Sequence, residues 1–113
     1  MPEASSSILL LIPAYNEESR IAPVLENYAV YFREHHPSRF NLIVVLNGCT
    51  DNTLSVVEAA SKKFPEIHYT NIPEPIGKGG ALIEGLKLAP EANLVGYVDA
   101  DGATPPAAFD ELI

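Results

Sequence analysis

The sequence predicts an α/β fold with three layers and a mostly parallel sheet. Three observations lead to this prediction. Short apolar runs of strand type alternate four times with stretches of helical spacing, which is the pattern of βαβ units. The first run, residues 8–12, is continuously apolar, as expected of a strand that is covered on both faces. Polar clusters follow the runs, and open parallel sheets bind ligands at the carboxyl ends of their strands.

Composition narrows the class of protein. The chain has 113 residues, enough for one domain, and 47% of them are hydrophobic, enough for a core. The formal net charge is -8 and no basic run is present, which argues against binding to nucleic acid. The single cysteine, Cys49, excludes an internal disulfide and a cysteine metal cluster. No apolar run approaches the length of a membrane span, so we expect a cytoplasmic protein.

The first half of the chain predicts two strand–helix units. Residues 1–6 suggest a loose tail, and residues 8–12 form the first strand, ended by Pro13. Apolar residues at helical spacing then indicate the first helix: Val24, Leu25, Tyr28, Ala29 and Phe32. The histidines at its end, His35 and His36, are expected to be exposed to solvent. Residues 40–46 predict the second strand, and Thr50 or Asp51 is placed to cap the second helix.

The second half predicts two further units. Residues 67–70 read as the third strand, and residues 71–80, with their prolines and glycines, as a loop. A third helix is expected from about Ala81 to Ala89, stopped by Pro90. Residues 94–98 form the fourth strand. Pro105-Pro106 opens a fourth helix, on which Asp110 is expected to lie on a solvated face.

The chain is organised around two carboxylates that follow the fourth strand, Asp99 and Asp101. Residues i and i+2 of an extended chain point to the same side, and two like charges so close together repel unless a cation joins them. Carboxylate oxygens are ligands that Mg²⁺ and Mn²⁺ take, often together with substrate phosphates. The pattern therefore predicts a metal clamp. The alternative is a solvated turn, because Asp-Gly is also a turn pair.

Two other polar clusters carry candidate binding groups. Tyr15 could stack on a nucleobase, with Asn16 and Glu17 hydrogen-bonding to its edge, or the three could form only a helix-entry turn. Lys78 stands among glycines before the third helix, where backbone N–H groups can cradle phosphate. The alternative is a flexible entry loop with a solvated lysine. A Walker P-loop is excluded, because Gly79 stands where Ser or Thr is required.

Four motifs occur in order and cover nearly the whole chain: residues 12–18, 47–53, 77–81 with Gly85, and 99–101. Together they resemble the N-terminal half of family 2 glycosyltransferases of the GT-A fold. Within the family the chain is most similar to the polyprenyl-phosphate (dolichyl-phosphate) hexosyltransferases, and residues 99–104 resemble the glucosyl branch. The resemblance implies that residues 1–113 are a truncated Rossmann-like donor-binding part, and that the acceptor half is absent.

The resemblance also implies a site for a nucleotide sugar, a UDP- or GDP-hexose. Pro13, Tyr15 and Glu17 match the positions that hold the nucleobase. Asn47 stands, after Leu46, where the family usually has a pair of acidic residues. An ionised Asp only accepts hydrogen bonds, whereas Asn also donates them. This departure leaves the nucleobase preference open.

The diphosphate end of the implied site carries the cation. Lys78 matches the loop by the nucleoside and diphosphate, and Asp99 and Asp101 match the DxD motif, which bridges the ribose and a bound Mg²⁺ or Mn²⁺. The implied acceptor is a polyprenyl phosphate, which would bring the intact protein to the cytoplasmic face of the membrane. No catalytic residue is assigned here, since the family's base comes after the DxD strand and is expected beyond Ile113. The unpaired sheet edge predicts self-association.

Three rival interpretations remain open at this stage. The intact enzyme could glycosylate a soluble acceptor or a polysaccharide. The chain could be a non-catalytic nucleotide-sugar-binding module, with Leu46-Asn47 as a mark of lost activity. It could also be an unrelated Rossmann-like or flavodoxin-like binding protein.

Overall fold

Four parallel strands form a single sheet. The computed structural model describes residues 7–37, 39–87 and 94–111. Its strands are β1 (Ile8–Ala14), β2 (Phe40–Asn47), β3 (Ile67–Ile72) and β4 (Leu94–Tyr97), in the order β3-β2-β1-β4. Every neighbouring pair runs parallel, which confirms the predicted sheet. The chain therefore starts in the middle, moves outward through β2 and β3, and crosses back to β4, so that strand order reverses beside β1.

Helices cover both faces of the sheet and give the predicted three layers. They are α1 (Ile21–His35), α2 (Thr53–Lys63), α3 (Gly77–Lys87) and α4 (Pro106–Asp110). Alternate residues of β1 face opposite layers, as the two-residue period of a strand requires. Leu10 and Ile12 pack with α1, α2 and α4, whereas Leu9 and Leu11 pack with α3. Among the described residues, no helix is both long and apolar enough to cross a bilayer.

The face under α1, α2 and α4 carries an aromatic core. The Phe32 ring stacks on Phe40 with 4.4 Å between centroids, and Phe109 meets it edge-on at 5.8 Å. The edge of the Phe109 ring also points at Gly96 of β4, where a Cβ atom would come within 2.4 Å of the ring. A glycine in β4 therefore makes room for the aromatic residue that holds α4 on the sheet.

The other face is packed through small residues. A Cβ atom on Gly85 would lie 2.9 Å from a methyl group of Leu11 and 3.0 Å from one of Val45. Ala81, one turn earlier, is fully buried against the same strands. These two small residues let α3 approach β1 and β2 closely.

The third helix begins earlier than predicted. Residues 77–80 form the first turn of α3 instead of the end of a loop, and Gly77 enters the turn at φ +81°. The poor helix propensity of glycine favoured a loop, but the packing of Ala81 and Gly85 on the sheet outweighs it. The predicted end of this helix, at Ala89 and Pro90, lies outside the described residues, as do residues 1–6 and the last two residues of the chain. Val98 follows β4 instead of ending it.

Candidate functional site

A cleft of about 320 Å³ opens at the carboxyl edge of the sheet, where β1 and β4 end. Its lining residues come from the ends of three strands and the loops that follow them: Pro13, Ala14, Tyr15, Glu17, Asn47, Asp99, Ala100 and Asp101. Every binding residue predicted from the sequence lines this cleft except Asn16 and Lys78. The backbone of Lys78 lies in the first turn of α3, and its side chain lies outside the described residues. The cleft occupies the point where strand order reverses, the usual ligand position in such sheets.

Tyr15 and Glu17 form one wall of the cleft. The Tyr15 side chain is 57% exposed, which leaves a ring face available for stacking. Glu17 Oε1 is buried and forms an ion pair with the Arg20 guanidinium. The ion pair with Arg20 therefore orients the Glu17 carboxylate, which lines the cleft and can act as a hydrogen-bond acceptor there.

Asn16, between these two residues, faces away from the cleft. Its φ is +51°, a left-handed conformation that residues with a Cβ atom seldom adopt. Its side-chain Oδ1 accepts the backbone N–H groups of Thr50 (2.7 Å) and Asp51 (3.2 Å), and its Nδ2 donates to Thr50 Oγ1 (3.2 Å). The predicted contact of Asn16 with a nucleobase edge is therefore wrong, because the amide already holds the loop after β2.

The same two loops are joined in the opposite direction by Asp51 and Thr53. The backbone N–H of Glu18 donates to Asp51 Oδ2 (3.4 Å), and that of Glu17 donates to Thr53 Oγ1 (2.9 Å). Partial burial by itself raises the pKa of the Asp51 carboxyl, but hydrogen bonds from Thr53 and Glu18 outweigh it and hold that pKa below its usual value. Asp51 also accepts the N–H of Thr53, the first residue of α2. The N-cap residue is Asn52, however, so the predicted cap at Thr50 or Asp51 is wrong by one or two positions.

Asn47 ties a third loop to the cleft. Its Oδ1 accepts the backbone N–H of Ile76 (2.8 Å), just before α3 begins. Gly48 follows at φ +71°, with Pro75 so close that a Cβ atom would lie 2.7 Å from the proline ring. The β2 exit loop therefore positions both the wall of the cleft and the glycine-rich start of α3.

Asp99 and Asp101 lie on the same exposed side of the chain, as the i, i+2 spacing predicts. Burial alternates here, since Val98 and Ala100 are buried and both aspartates are exposed. Asp101 Oδ1 accepts the backbone N–H of Ala103 (3.0 Å), which closes a turn with Gly102 at φ +80°. The metal clamp would have only two protein carboxylates, because the described residues contain no group of three or more His, Cys, Asp or Glu side chains suited to a metal.

The loop that carries the aspartates is anchored from α1. The Tyr28 hydroxyl donates to the carbonyl oxygen of Thr104 at 2.5 Å. Burial raises the pKa of Tyr28 to about 12, so this hydroxyl keeps its proton at any physiological pH. No local sequence pattern indicates this contact, because its partners are 76 residues apart.

Cys49 and the histidine pair have structural contacts. The Cys49 thiol lies 3.4 Å from the Ala14 carbonyl oxygen and 3.4 Å from the Asn16 backbone nitrogen. His35 is exposed, as predicted, but the prediction is wrong for His36, which is half-buried with its Nε2 2.8 Å from Asp110 Oδ1. Asp110 is correspondingly half-buried and not on a solvated face, because it joins α4 to the end of α1.

Comparisons with known proteins agree with the fold. The model of the glycosyl transferase family 2 matches residues 9–113. A dolichyl-phosphate beta-glucosyltransferase of Trichomonas vaginalis is 39% identical over 90% of this chain and 31% of its own length. The structure of a mannosyltransferase from Pyrobaculum calidifontis, in complex with GDP-Man and Mn²⁺, superposes with a TM-score of 0.74 at 27% identity, covering 89% of this chain and 30% of that one.

A third comparison concerns another nucleotide. Glucosyl-3-phosphoglycerate synthase from Mycobacterium tuberculosis, in complex with UDP, is 26% identical with a TM-score of 0.69, over 87% of this chain and 35% of that one. The chain spans about a third of the length of the dolichyl-phosphate beta-glucosyltransferases that it matches. The family match excludes the interpretation as an unrelated Rossmann-like or flavodoxin-like protein.

Proposed function

The chain belongs to glycosyl transferase family 2, and we propose that its cleft binds the nucleotide-sugar donor of a hexosyl transfer. The observation that carries the proposal is the convergence of Tyr15, Glu17, Asn47 and the Asp99–Asp101 pair on one cleft at the carboxyl edge of the sheet. An exposed aromatic ring, a glutamate carboxylate and a pair of aspartates suit the base, its edge and the diphosphate of one ligand.

The nucleoside end lies against the wall formed by Pro13, Tyr15 and Glu17. Tyr15 stacks on the base, and the Glu17 carboxylate accepts a hydrogen bond from it. Asn47 offers its Nδ2 donor where a carboxylate of the family would accept. The contact of Asn47 Oδ1 with the Ile76 N–H is one that an aspartate could make equally well. Asn47 therefore preserves the loop and changes only the hydrogen-bonding character of the wall, which argues against loss of the site.

The residues at the other end of the cleft fit a divalent cation. Asp99 and Asp101 are exposed hard oxygen donors, and Asp101 commits only its Oδ1 to the Ala103 N–H. Mg²⁺ and Mn²⁺ are commonly held by one or two carboxylates, with substrate phosphates and water completing the shell. When bound, the cation would neutralise charge on the leaving nucleoside diphosphate. Lys78, at the start of α3, would add a further positive charge near the phosphates.

The acceptor is proposed from the relatives. Dolichyl-phosphate beta-glucosyltransferases of several organisms match nearly the whole chain. We therefore propose that the intact protein transfers a hexose to a polyprenyl phosphate, and glucose is the hexose that these relatives favour. Such a lipid acceptor would place the reaction at the cytoplasmic face of a membrane. Residues 1–113 act in this scheme as the donor-binding part, and the base that activates the acceptor is not among the cleft residues.

The test is titration calorimetry with UDP-glucose and GDP-mannose, with and without Mn²⁺. We expect binding that depends on Mn²⁺ and falls at least about tenfold in Asp101→Asn, since even groups that only support a metal ligand contribute that much. Glu34→Gln removes the same charge from the exposed surface of α1 and serves as the matched control. Unchanged affinity in Asp101→Asn would refute the assignment. Binding that ignores Mn²⁺ would remove the cation from the proposal.

A further inference from the structure

We propose that Asn16 is the positioning residue of the nucleobase wall, although it does not contact the ligand. The proposal rests on the function proposed above and goes further, since it names a residue that controls the base end of the cleft and leaves the cation end unaffected. Its basis is the backbone strain at Asn16 together with the hydrogen bonds that hold it.

The strain is specific to this position. Asn16 is the one residue other than glycine with a positive φ within the ranges that the structure describes. A left-handed residue with a Cβ atom is disfavoured, asparagine less than most, and such a conformation persists only where its surroundings enforce it. The strand β1 ends at Ala14, at the cleft, and the left-handed residue Asn16 redirects the chain into the turn of residues 17–20 that precedes α1.

The surroundings that enforce it come from a loop 34 residues further along. Asn16 Oδ1 accepts two backbone N–H groups of that loop, from Thr50 (2.7 Å) and Asp51 (3.2 Å). In return, Asp51 and Thr53 accept the N–H groups of Glu18 (3.4 Å) and Glu17 (2.9 Å). These contacts, named here the 16–53 latch, fix the loop after β1 and the loop after β2 against each other.

The latch sets the direction of the two residues that flank Asn16. Tyr15 and Glu17 are its covalent neighbours, and both line the cleft. If the amide of Asn16 released the 50–51 backbone, φ would relax to a negative value and the Tyr15 ring and Glu17 carboxylate would leave their shared wall. Asp99 and Asp101 are held separately, by the turn at Ala103 and the Tyr28 contact to Thr104. Loss of the latch should therefore weaken base recognition and leave metal dependence intact.

Three substitutions of one residue separate the causes. Asn16→Gly keeps the left-handed backbone accessible but removes the hydrogen bonds. Asn16→Ala removes the bonds and also disfavours the backbone. Asn16→Asp keeps an oxygen acceptor and tolerates the conformation. For UDP with Mn²⁺ we expect affinities about tenfold weaker in the glycine and alanine variants, as for a lost hydrogen-bonded contact, and within about threefold of wild type in the aspartate variant.

Two further measurements distinguish positioning from general destabilisation. The concentration of Mn²⁺ that gives half-maximal binding should stay unchanged in the Asn16 variants, whereas it should rise in Asp101→Asn. Tyr31→Phe, at the opposite end of α1, removes a hydroxyl contact to Asp110 (2.8 Å) far from the cleft and provides a destabilised control with normal UDP affinity. If Asn16→Gly shifts the Mn²⁺ requirement as Asp101→Asn does, or binds UDP as tightly as wild type, the positioning role is wrong.

Amide hydrogen exchange of the ligand-free chain tests the latch without any nucleotide. The N–H groups of Thr50 and Asp51 should be protected in wild type and Asn16→Asp and should exchange much faster in Asn16→Gly. If wild type binds neither UDP nor GDP while these amides show this pattern, the proposed function fails and the latch stands as a structural element only. If the two amides exchange rapidly in wild type, the latch itself is refuted.

Discussion

The two faces of the sheet are covered to different extents. On one face α1, α2 and α4 bury a continuous core that includes five aromatic rings, those of Tyr28, Phe32, Phe40, Phe64 and Phe109. On the other face α3 is the one helix of the described residues that packs on β1 and β2, and the β4 side chains that share this face, Val95 and Tyr97, are 47% and 54% exposed. We call these the covered face and the open face.

The strand β4 shows both environments within four residues. Gly96 turns to the covered face and receives Phe109, while Val95 and Tyr97 on either side of it turn to the open face. The alternation continues past the strand, so Asp99 and Asp101 share the direction of Val95 and Tyr97. The difference teaches that the covered face supplies the stability and holds the loop of Asp99 and Asp101, whereas these two aspartates point to the side that is less fully packed.

The largest expected effect is the loss of a ring from the covered face. Phe109→Ala should destabilise the chain by about 3–5 kcal/mol, because Phe109 is almost fully buried and the space over Gly96 would be left empty. Val95→Ala, on the open side of the same strand, should change the free energy of unfolding by no more than about 0.5 kcal/mol. Urea denaturation followed by far-UV circular dichroism measures both. Similar losses in the two variants would show that the open face is packed after all.

The next effect is self-association through the open face and the edge of β4. Within the described residues β4 pairs only with β1, and the apolar surface beside it includes Val95 and Tyr97. Such an edge favours pairing with a second copy, and each apolar side chain buried contributes about 1.5–3 kcal/mol. We expect association at micromolar concentration in sedimentation velocity, shifted to the monomer by Tyr97→Lys. Val30→Lys, an exposed apolar position on α1, is the control and should leave association unchanged.

Features with a local pattern could be predicted from the sequence. Continuous apolar runs identified the strands, and the carboxyl ends of parallel strands identified where Tyr15, Asn47 and Asp99 would meet. The start of α3 was missed because residues 77–80 are unfavourable in an isolated helix, and only the sheet beneath Ala81 and Gly85 compensates for them.

Contacts between distant polar groups could not be predicted in the same way. Asn16 was expected at the base edge, but its amide holds Thr50 and Asp51, and nothing in the neighbouring residues signals that choice. The sequence predicts solvent-exposed positions for His36 and Asp110, but the two side chains pair across a separation of 74 residues. Such contacts depend on how the helices and loops pack against the sheet. A single sequence has no periodic pattern from which they can be predicted.

A smaller effect is expected for the contact that holds the aspartate loop from the covered face. Tyr28→Phe removes only the hydroxyl that donates to the Thr104 carbonyl, and the ring stays in the core. We expect a loss of about 1 kcal/mol in unfolding free energy, the usual contribution of one hydrogen bond. The Mn²⁺ requirement for UDP binding should also rise, because the 99–104 loop loses an anchor. Equal Mn²⁺ requirements in Tyr28→Phe and wild type would limit Tyr28 to a stabilising role.

The smallest expected effect is a change in unfolding free energy at acidic pH. It concerns the contact between α4 and α1 on the covered face. Asp110 accepts hydrogen bonds from His36 (2.8 Å) and from the Tyr31 hydroxyl (2.8 Å), and these contacts lower the pKa of the Asp110 carboxyl. The Arg39 guanidinium lies 3.1 Å from His36 Nδ1 and can only donate, so in neutral His36 the proton sits on Nε2 and points to Asp110.

Because the folded-state pKa of Asp110 is the lower one, the unfolded chain takes up its proton first as the pH falls. The stabilisation is therefore fully present above the unfolded-state pKa of about 3.9 and disappears as the pH falls through the folded-state value. Other carboxylates also respond to acid, so the informative quantity is the difference between wild type and Asp110→Asn. We expect that difference in unfolding free energy to be largest above about pH 5 and to shrink below about pH 4. If the unfolding free energies of wild type and Asp110→Asn keep a constant difference at every pH down to acid unfolding, the ionised Asp110 carboxylate does not stabilise the contact between α4 and α1. The attachment of α4 to the covered face would then depend on the packing of Phe109.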